Sequence, residues 1–529
     1  MLTKKNKQNF LQGALILLIA NLIVKVIGAC YRIPLARMLG KAGMGYYSTA
    51  YTMYTFMFAV ATAGFPVVVS KMVSESLASN NRREAQKIYY IATVVLGSIG
   101  LIGSAVLYFF AEPFADMLGN SGAVMSIKAI APAVFFVALM SACRGFFQGN
   151  QNMYPTAYSE VIESSCKLVA GLIFASMLMS RGYQQAASGA MHGVTLGTVL
   201  CTIFLVITFA VNKRKNACVQ VSMPGRSSVS LAKELLILAI PVTIGACVSS
   251  LTNVIDMFTI MTRLQSAGVS ESLANEMYGA YTGYAVTMFN LPLTLIAALA
   301  MAIVPAVAGS LKSGLKTQAA GFVESALRIT FLFGLPCAIG LSVLAESIIM
   351  LVFDVTDAWQ QLQILAIAVI FVSFLSVTNA ILQAYGKMMI PVINMIIGGI
   401  IKVVMNYVFI PAYGINAAPF STNVCYFVIV VLNLAWIIHI SGVKLKLFDF
   451  WLRPIIAVAA MGIGVAFVYS QLTAFGLGVK TACIISAGCG VVIYGLMIFA
   501  VKAIRREELL MLPKGGKLVA ICEKIHLLR

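Results

Sequence analysis

Residues 10–33, FLQGALILLIANLIVKVIGACYRI, form an almost unbroken apolar stretch near the start of the chain. A helix rises about 1.5 Å per residue, so 24 residues are enough to cross the roughly 30 Å hydrocarbon core of a bilayer. Two cations, Lys25 and Arg32, nevertheless lie inside the stretch. It therefore predicts a membrane-spanning helix that carries positive charge within the bilayer.

The rest of the chain has the same apolar character. Of its 529 residues, 60% are hydrophobic and only 10% are charged, and the mean hydropathy is +0.94. These values lie far from those of soluble domains and exclude a soluble enzyme, a secreted disulfide scaffold and a disordered chain. The short alternating strands of a membrane β-barrel are not visible in the sequence. The composition predicts an all-α polytopic membrane protein.

Apolar runs bounded by Gly, Pro and charge clusters predict fourteen membrane-spanning helices. Six precede a polar, basic linker at 212–230, six follow it, and two more stand at the C-terminal end. The predicted spans are residues 10–33, 46–70, 88–111, 123–147, 153–178, 187–211, 233–262, 278–309, 321–351, 361–385, 388–411, 417–440, 451–471 and 478–503.

The two groups of six helices resemble each other. Residues 148–167 and 383–402 each have a leading Gln, a Pro near the start of the next helix and a Lys deep inside it. With six helices per half, such a repeat predicts two lobes related by a pseudo-two-fold axis along the membrane normal. The predicted domains are an N-lobe at 1–211, a basic cytoplasmic linker at 212–230, a C-lobe at 231–440, helices 13 and 14 at 441–503 and a basic cytoplasmic tail at 504–529.

The distribution of the cations predicts the orientation. The chain has 37 Lys and Arg against 18 Asp and Glu, a net charge of +19, and the cations concentrate in alternate loops, as in the segment 71–87 and in the linker. Cytoplasmic loops of membrane proteins carry such an excess, so the charge indicates topology rather than nucleic-acid binding. Both termini are predicted to be cytoplasmic.

Charged residues within the predicted helices are candidates for function, because a charge in the middle of a bilayer costs at least about 2.5 kcal/mol. Lys25 and Arg32 are seven positions apart and therefore lie on one helix face, although Arg32 could instead reach the interface. In the predicted seventh helix, Asn253 and Asp256 share a face and Arg263 follows. We predict these five residues as substrate-cavity residues, with Asp256 pairing with Lys25 or Arg32 as a gate.

The predicted fifth helix carries three further charges, Glu160, Glu163 and Lys167. Their spacing allows Glu163 to neutralise Lys167 one turn away. Lys402 occupies the matching place in the predicted eleventh helix and needs a partner from another helix. These four residues are predicted to form intramembrane ion pairs or a gate.

The predicted second helix carries a row of tyrosines at its start. Tyrosines favour the membrane interface, where the ring is half-buried and the hydroxyl is wet. We interpret the row first as an interfacial belt and alternatively as a cavity wall that offers hydroxyl groups. The residues are Tyr46, Tyr47, Tyr51 and Tyr54.

Motifs for catalysis or cofactor binding are missing from the sequence. It contains no GxxxxGK[ST], HExxH or GxSxG pattern, and its three histidines, at 192, 439 and 526, are not spaced as metal ligands. We therefore predict a transporter without catalytic residues, metal or cofactor, driven by a coupling ion or the membrane potential.

The stretch RGFFQGNQNMYPTAYSEVIE at 144–163 resembles the stage V sporulation protein B group of the MOP (multidrug/oligosaccharidyl-lipid/polysaccharide) exporter superfamily, which includes MurJ-like lipid II flippases. Its opening residues Arg144, Gly145, Gln148 and Gly149 form a loop motif of that family. Residues 25–32 and the glycine-containing turn at 40–43 add to the resemblance.

The resemblance implies a V-shaped pair of lobes whose central cavity is lined by helices 1, 2, 7 and 8, with a lipid-tail groove beside the last two helices. It assigns Lys25 and Arg32 to the pyrophosphate of the substrate. MurJ-like proteins also carry arginines in the second and eighth helices, where this chain has uncharged residues such as Tyr54 and Thr287.

Because the first helix offers only cations, the cargo should be an anion. An inside-negative potential favours outward movement of an anion by about 2.3 kcal/mol per charge per 100 mV. Our leading hypothesis is a flippase that carries undecaprenyl-pyrophosphate-linked peptidoglycan precursor (lipid II) outward by alternating access, with spore cortex synthesis as one setting. We expect a monomer in the lipid bilayer, with a lipid-linked anionic saccharide as substrate and no nucleic-acid partner.

Three alternatives remain open from the sequence alone. The chain could carry another lipid-linked oligosaccharide, or act as a MATE-like drug or ion antiporter. It could also be a membrane scaffold that recruits cell-wall synthesis enzymes through its basic tail.

Overall fold

A computed structural model of the protein describes residues 10–62, 64–215, 226–443 and 451–503. In these ranges the chain is helical and contains no strand, so the predicted all-α fold class is confirmed. The predicted cytoplasmic tail at 504–529, the middle of the predicted linker at 216–225 and the N-terminal cations before residue 10 lie outside the described residues.

The chain divides into two compact units, residues 1–283 and 284–529. The helices of the first unit are α1 (Phe10–Thr62), α2 (Phe65–Ala78), α3 (Arg82–Phe109), α4 (Ala111–Met117), α5 (Val124–Gly149), α6 (Tyr154–Leu178), α7 (Tyr183–Lys215), α8 (Ser228–Ser266) and α9 (Glu271–Ala280). The helices of the second unit are α10 (Val286–Lys312), α11 (Lys316–Val343), α12 (Ala345–Phe353), α13 (Trp359–Ala366), α14 (Ala368–Ala384), α15 (Met389–Tyr413), α16 (Ala417–Ser441), α17 (Arg453–Ala474) and α18 (Val479–Ala500).

The unit boundary differs from the predicted lobe boundary. The first unit includes α8 and α9, which follow the predicted linker, because α8 packs against α1, α2 and α3 and α9 packs against α1. The predicted lobes at 1–211 and 231–440 rest on the internal repeat, and they stay a prediction.

Many of the helices are long and apolar enough to cross a membrane. Among the described residues, nine helical stretches meet that description, or ten if the bent pair α13 and α14 counts as one span. Two of the nine, Ile19–Ala78 with 60 residues and Met389–Ser441 with 53, are each long enough for two crossings of a roughly 30 Å core. The chain is a multi-span membrane protein, and the number fourteen stays a prediction.

The first two predicted spans are joined without a loop. Helical structure runs from Phe10 to Thr62 and is interrupted at Gly40, whose φ of 59° and ψ of −171° are not helical. Glycine adopts positive φ without the steric cost that a Cβ brings, so the break falls where the sequence has the glycine-containing turn at 40–43. Helical structure therefore continues through the residues between the first two predicted spans, and within Phe10–Thr62 only Gly40 leaves the helical conformation.

A pair of glycines brings α1 and α9 into backbone contact. A Cβ built on Gly279 would lie 1.9 Å from the Lys41 carbonyl oxygen and 2.4 Å from the Gly45 nitrogen. Close to this contact, the Asn120 amide donates to Thr49 Oγ1 and to Asn275 Oδ1, each at 3.0 Å, and all three side chains are buried. Small residues allow membrane helices to approach closely, and buried polar groups need partners when they do.

A cluster of charges ties the start of α8 to α2 and α3 at the predicted cytoplasmic end. The Arg226 guanidinium donates to Glu84 Oε1 at 2.8 Å and to Glu234 Oε2 at 2.6 Å. The hydrogen bond from Arg226 to Glu84 raises the pKa of Arg226 above its ordinary value. Asn81 also donates to Glu84, at 3.0 Å, so the carboxylate is held in place by the turn that begins α3.

The second unit contains its own buried polar contacts. Asn433, in α16, accepts from Asn394 of α15 at 2.8 Å and donates to Thr378 and Asn379 of α14. The Arg328 guanidinium of α11 donates to the Ala503 carbonyl oxygen at 2.6 Å, just after the end of α18. Side-chain hydrogen bonds between helices thus fix α14 to α16, and they fix α18 to α11.

We predict that Gly279→Ala lowers the stability of the protein by about 2–3 kcal/mol, because the added methyl group meets backbone atoms that cannot move away. Thermal unfolding of the purified protein in detergent measures this loss. Gly309→Ala is the matched control, since a Cβ on Gly309, in α10, meets no atom within 4 Å. Equal unfolding temperatures for the two variants would contradict the close approach of α1 and α9.

Candidate functional site

The guanidinium of Arg32 lies at the contact between α1 and the segment that follows α9. Arg32 is half-buried and donates to the Thr282 carbonyl oxygen at 3.0 Å. Thr282 belongs to the π-helical segment Tyr281–Ala285, an irregularity that is frequent at functional sites. The Arg32 Nε atom is buried and has no hydrogen-bond partner among the described residues. Arg32 therefore has a donor for which the described part of the chain provides no acceptor.

A second cation, Lys167 of α6, meets the tyrosines of α1. Its ammonium donates to the Tyr51 hydroxyl at 2.8 Å and stands 4.3 Å from the Tyr51 ring centroid and 5.2 Å from that of Tyr31. The rings of Tyr47 and Tyr51 stack at 5.5 Å. Aromatic faces attract cations, so this arrangement stabilises the ammonium without an acid.

The two cations belong to one cluster. Both Arg32 and Lys167 lie within electrostatic reach of the hydroxyls of Tyr47 and Tyr51, and Arg32 lies within electrostatic reach of Lys167. We call Tyr31, Arg32, Tyr47, Tyr51 and Lys167 the tyrosine–cation cluster. The interpretation of the tyrosine row as an interfacial belt is wrong, because Tyr47 and Tyr54 are buried within the first unit, and the alternative of hydroxyl groups facing a polar site fits better.

Glu163 pairs with a residue that the sequence assigned only to the family motif. Its carboxylate accepts from the Arg144 guanidinium of α5 at 3.0 Å, and Arg144 also donates to Ser159 Oγ at 3.0 Å. The predicted pairing of Glu163 with Lys167 is therefore wrong, since Lys167 donates to Tyr51 instead. Helical spacing permits a pair within α6, but Arg144 approaches Glu163 from another helix and donates to its carboxylate directly.

The rest of the family motif serves helix packing. A Cβ on Gly145 would lie 2.8 Å from Val69 Cβ, and one on Gly149 would lie 2.7 Å from the Ser70 carbonyl oxygen, so the two glycines form the surface of α5 that packs against α2. Gln148 lies between them and is half-buried. The motif fixes α2, α5 and α6 through packing and one partly buried ion pair.

The remaining predicted residues are dispersed. Lys25 and Asn253 are exposed, Arg263 is half-buried near the end of α8, and Asp256 is 8% exposed. The Tyr278 hydroxyl lies within electrostatic reach of both Asp256 and Arg32. The gate that joins them stays a prediction.

Lys402 lies in the second unit, in α15, where it is 2% exposed. The same helix contributes Asn394 and Asn406 to hydrogen bonds with α16. A gating role for Lys402 stays a prediction. The described residues contain no group of three His, Cys, Asp or Glu side chains that could hold a metal ion.

Reasoning from the sequence included Lys167 among the intramembrane ion pairs and Tyr51 in an alternative cavity wall, but it missed that these two side chains meet. Tyr51 and Lys167 are 116 positions apart, and their contact depends on how α1 packs against α6. A signal was present in each helix separately, namely a lysine in the middle of an apolar span and a row of tyrosines. No spacing rule connects two separate helices.

The two carboxylates of α6 should respond differently to neutralisation. We predict that Glu163→Gln lowers stability by about 2–3 kcal/mol, because it leaves the buried Arg144 guanidinium without its counter-charge. Glu160→Gln should leave stability unchanged or raise it by up to about 1 kcal/mol, because Glu160 Oε2 is buried without a hydrogen-bond partner in the described part of the chain. Thermal unfolding in detergent compares the two variants. Equal losses would mean that Glu163 is not the partner that holds Arg144.

The fold and the site define the class of protein. A multi-span helical protein with two cations in a polar cluster between its helices, and without catalytic motifs, has the features of a membrane carrier. Comparison with known proteins agrees with this class. The sequence model of the polysaccharide biosynthesis protein family matches residues 10–310, more than half of the chain, and the chain belongs to that family.

Similar proteins extend over nearly the whole chain. Stage V sporulation protein B of Bacillus subtilis (strain 168) is 26% identical over 519 residues, which are 97% of this chain and 99% of the relative. Lipid II flippase MurJ of the same organism is 27% identical over 482 residues, covering 87% and 88% of the two chains. The predicted membership of the MOP superfamily is confirmed, and the chain is a transporter rather than an enzyme.

Solved structures share the architecture. An inward closed conformation of lipid II flippase MurJ superposes with a TM-score of 0.69 at 15% identity, covering 92% of this chain and 98% of that structure. The helical fold predicted from the sequence is confirmed by this likeness.

Proposed function

We propose that the protein moves a lipid-linked anionic saccharide precursor across the bacterial cytoplasmic membrane, with lipid II, the undecaprenyl-pyrophosphate-linked peptidoglycan precursor, as its cargo. The relatives named stage V sporulation protein B and lipid II flippase MurJ support this cargo and suggest spore cortex synthesis as one setting. The charge in the first unit supports it independently of those names.

The observation that carries the proposal is the neutrality of the groups that bind Arg32 and Lys167. Arg144 is neutralised by Glu163, whereas Arg32 donates to a carbonyl and Lys167 to a phenol. A cation that is bound only by neutral acceptors keeps its full charge and attracts an anion strongly where the dielectric constant is low. The buried Nε of Arg32, which lacks a partner among the described residues, gives the direction from which an acceptor would complete the site.

A diphosphate suits this arrangement. Arg binds phosphate oxygens through parallel N–H groups, and Lys adds a compact charge beside it. The Tyr51 hydroxyl can donate to a phosphate oxygen when the Lys167 ammonium turns to the same anion. Lys25, seven positions before Arg32 and exposed, would meet the diphosphate first or hold the sugar side of the headgroup.

The lipid tail need not enter the polar site. In the proposed cycle the prenyl chain stays in the bilayer while the headgroup passes the cations, and the predicted N-lobe and C-lobe alternate between inward and outward access. An inside-negative membrane potential favours the outward step for an anionic headgroup by about 2.3 kcal/mol per charge per 100 mV. ATP is not needed for such a cycle.

We predict that Arg32→Ala and Lys167→Ala each reduce translocation of labelled lipid II in proteoliposomes at least tenfold, or about 1.4 kcal/mol, because each removes a charge that compensates the diphosphate. Accessibility of the label to a membrane-impermeant reagent measures the rate. Arg181→Ala is the matched control, since Arg181 is an exposed cation outside the cluster and its loss should leave the rate unchanged.

Two outcomes would change the proposal. Equal rates for wild type, Arg32→Ala and Lys167→Ala would remove the assignment of the cluster to the headgroup. Faster movement of a different lipid-linked oligosaccharide than of lipid II, with the same dependence on Arg32 and Lys167, would keep the site and change the cargo.

A further inference from the structure

A groove on the first unit, away from the tyrosine–cation cluster, has the shape and polarity of a lipid site. It consists of two adjoining cavities of about 520 Å³ and 350 Å³ that share Leu178 and His192. These volumes lie in the range of sites for small organic ligands. We call the pair the α6–α7 groove, because α6 and α7 form its larger part.

The larger cavity is apolar. Its walls are Phe174, Met177 and Leu178 of α6 and Leu196 and Val199 of α7. Thr195 also lines it, but its hydroxyl proton is donated to the Ala129 carbonyl oxygen at 2.8 Å and is not available to a ligand. Only His192, at the boundary with the smaller cavity, adds a polar side chain. This part of the groove suits a hydrocarbon chain.

The smaller cavity has a mixed lining, in which polar side chains join apolar ones such as Met125 and Ala129, and it lies where the spans end. Lys128 of α5 and Gln185, Ser188 and His192 of α7 line it. It borders the last turn of α3 and the first turns of α5 and α7, and exposed aromatic side chains such as Phe109 and Tyr183 stand at the same helix ends. Aromatic residues gather at the membrane–water interface, so this cavity lies at the depth of lipid headgroups.

The length of the groove matches one leaflet. From Gln185 to Val199 the helix α7 advances fourteen positions, or about 21 Å. Half of the hydrocarbon core together with one headgroup region measures roughly 20–22 Å. A lipid with its headgroup at Gln185 would therefore have its chain beside Val199.

Lys128 gives the groove its preference for an anion. Its ammonium is 2.8 Å from Glu112 Oε1, in a pair whose side chains are 38% and 68% exposed. Exposed pairs of this kind contribute little, so a phosphate can replace Glu112 at small cost. The neighbouring Gln185, Ser188 and His192 offer hydrogen-bond donors for the remaining phosphate and ester oxygens.

We propose that the α6–α7 groove binds one glycerophospholipid of the surrounding bilayer, with its phosphate at Lys128 and one acyl chain between α6 and α7. The site is separate from the tyrosine–cation cluster and does not depend on the cargo of the transporter. The bound lipid contacts α7 and also α6, the helix that carries Lys167.

Quenching of tryptophan fluorescence by brominated lipid tests the site. The chain has three Trp, which are replaced by Phe, and Leu196→Trp then reports from inside the groove. Val94→Trp is the control, because Val94 is 68% exposed on α3 at a similar distance from the helix end. In vesicles of a diacylglycerol glycolipid without phosphate, brominated phosphatidylglycerol should quench Leu196→Trp at an about threefold lower mole fraction than Val94→Trp. Adding Lys128→Ala should remove this difference, and Lys128→Arg should restore it.

Equal quenching curves at the two positions would overturn the proposal, as would a brominated glycolipid that quenches Leu196→Trp as well as the phospholipid does. If the variant without native Trp fails to fold, the phosphorus that remains with the purified protein after extensive washing in detergent decides the question. Wild type should retain about one more phosphate per chain than Lys128→Ala. No difference between the two would also overturn the site.

Discussion

A positive charge inside a bilayer is stable only where polar groups of the protein solvate it in place of water. In the first unit, three such charges are bound by groups from other helical segments. Arg32, Arg144 and Lys167 come from α1, α5 and α6, and each is held by a different helix from its own. The cost of an isolated cation at this depth, at least about 2.5 kcal/mol, makes these contacts a condition of the fold. Helix α1 packs against α6 and α9, and the cations of α1 and α6 find their acceptors across these contacts, in the segment that follows α9 and in α1.

The three cations divide by the charge of their acceptors. Arg144 has a carboxylate and forms a closed, neutral pair, which stabilises the contact of α5 with α6 and offers nothing to a ligand. Arg32 and Lys167 have a carbonyl, a phenol and aromatic faces, which solvate the charge without cancelling it. Helix α6 thus carries a carboxylate that is paired with Arg144 and, four positions later, a cation that is bound by neutral groups. The neighbouring helices α5 and α1 provide these different partners.

The sequence predicts the fold class and the location of charge in the membrane better than it predicts partners. Apolar length and the positions of Arg32 and Lys167 can be read directly, because a span and a charge within it are local properties. The sequence shows a glycine-containing turn at 40–43, but it does not show that only Gly40 leaves the helical conformation, since that depends on how the two helical segments pack.

The partners of Glu163 and Lys167 could not be predicted, because helical spacing offers a pair within α6 and only tertiary structure brings Arg144 and Tyr51 closer. The tyrosine row was misread for the same reason, as burial of Tyr47 depends on neighbouring helices.

These contacts also explain what the family resemblance can and cannot convey. The stretch at 144–163, which carries most of it, contains the Arg144–Glu163 pair and the two glycines that let α5 meet α2, and these features determine packing. A relative that keeps this stretch needs to keep the arrangement of α2, α5 and α6, but its cargo is constrained by other positions. In the proposed function the anion is selected by Arg32 and Lys167, and both lie outside the stretch, Lys167 four positions beyond its end. The motif therefore bears on the fold of the first unit, whereas the proposed anion site depends on residues of α1 and α6 that lie outside it.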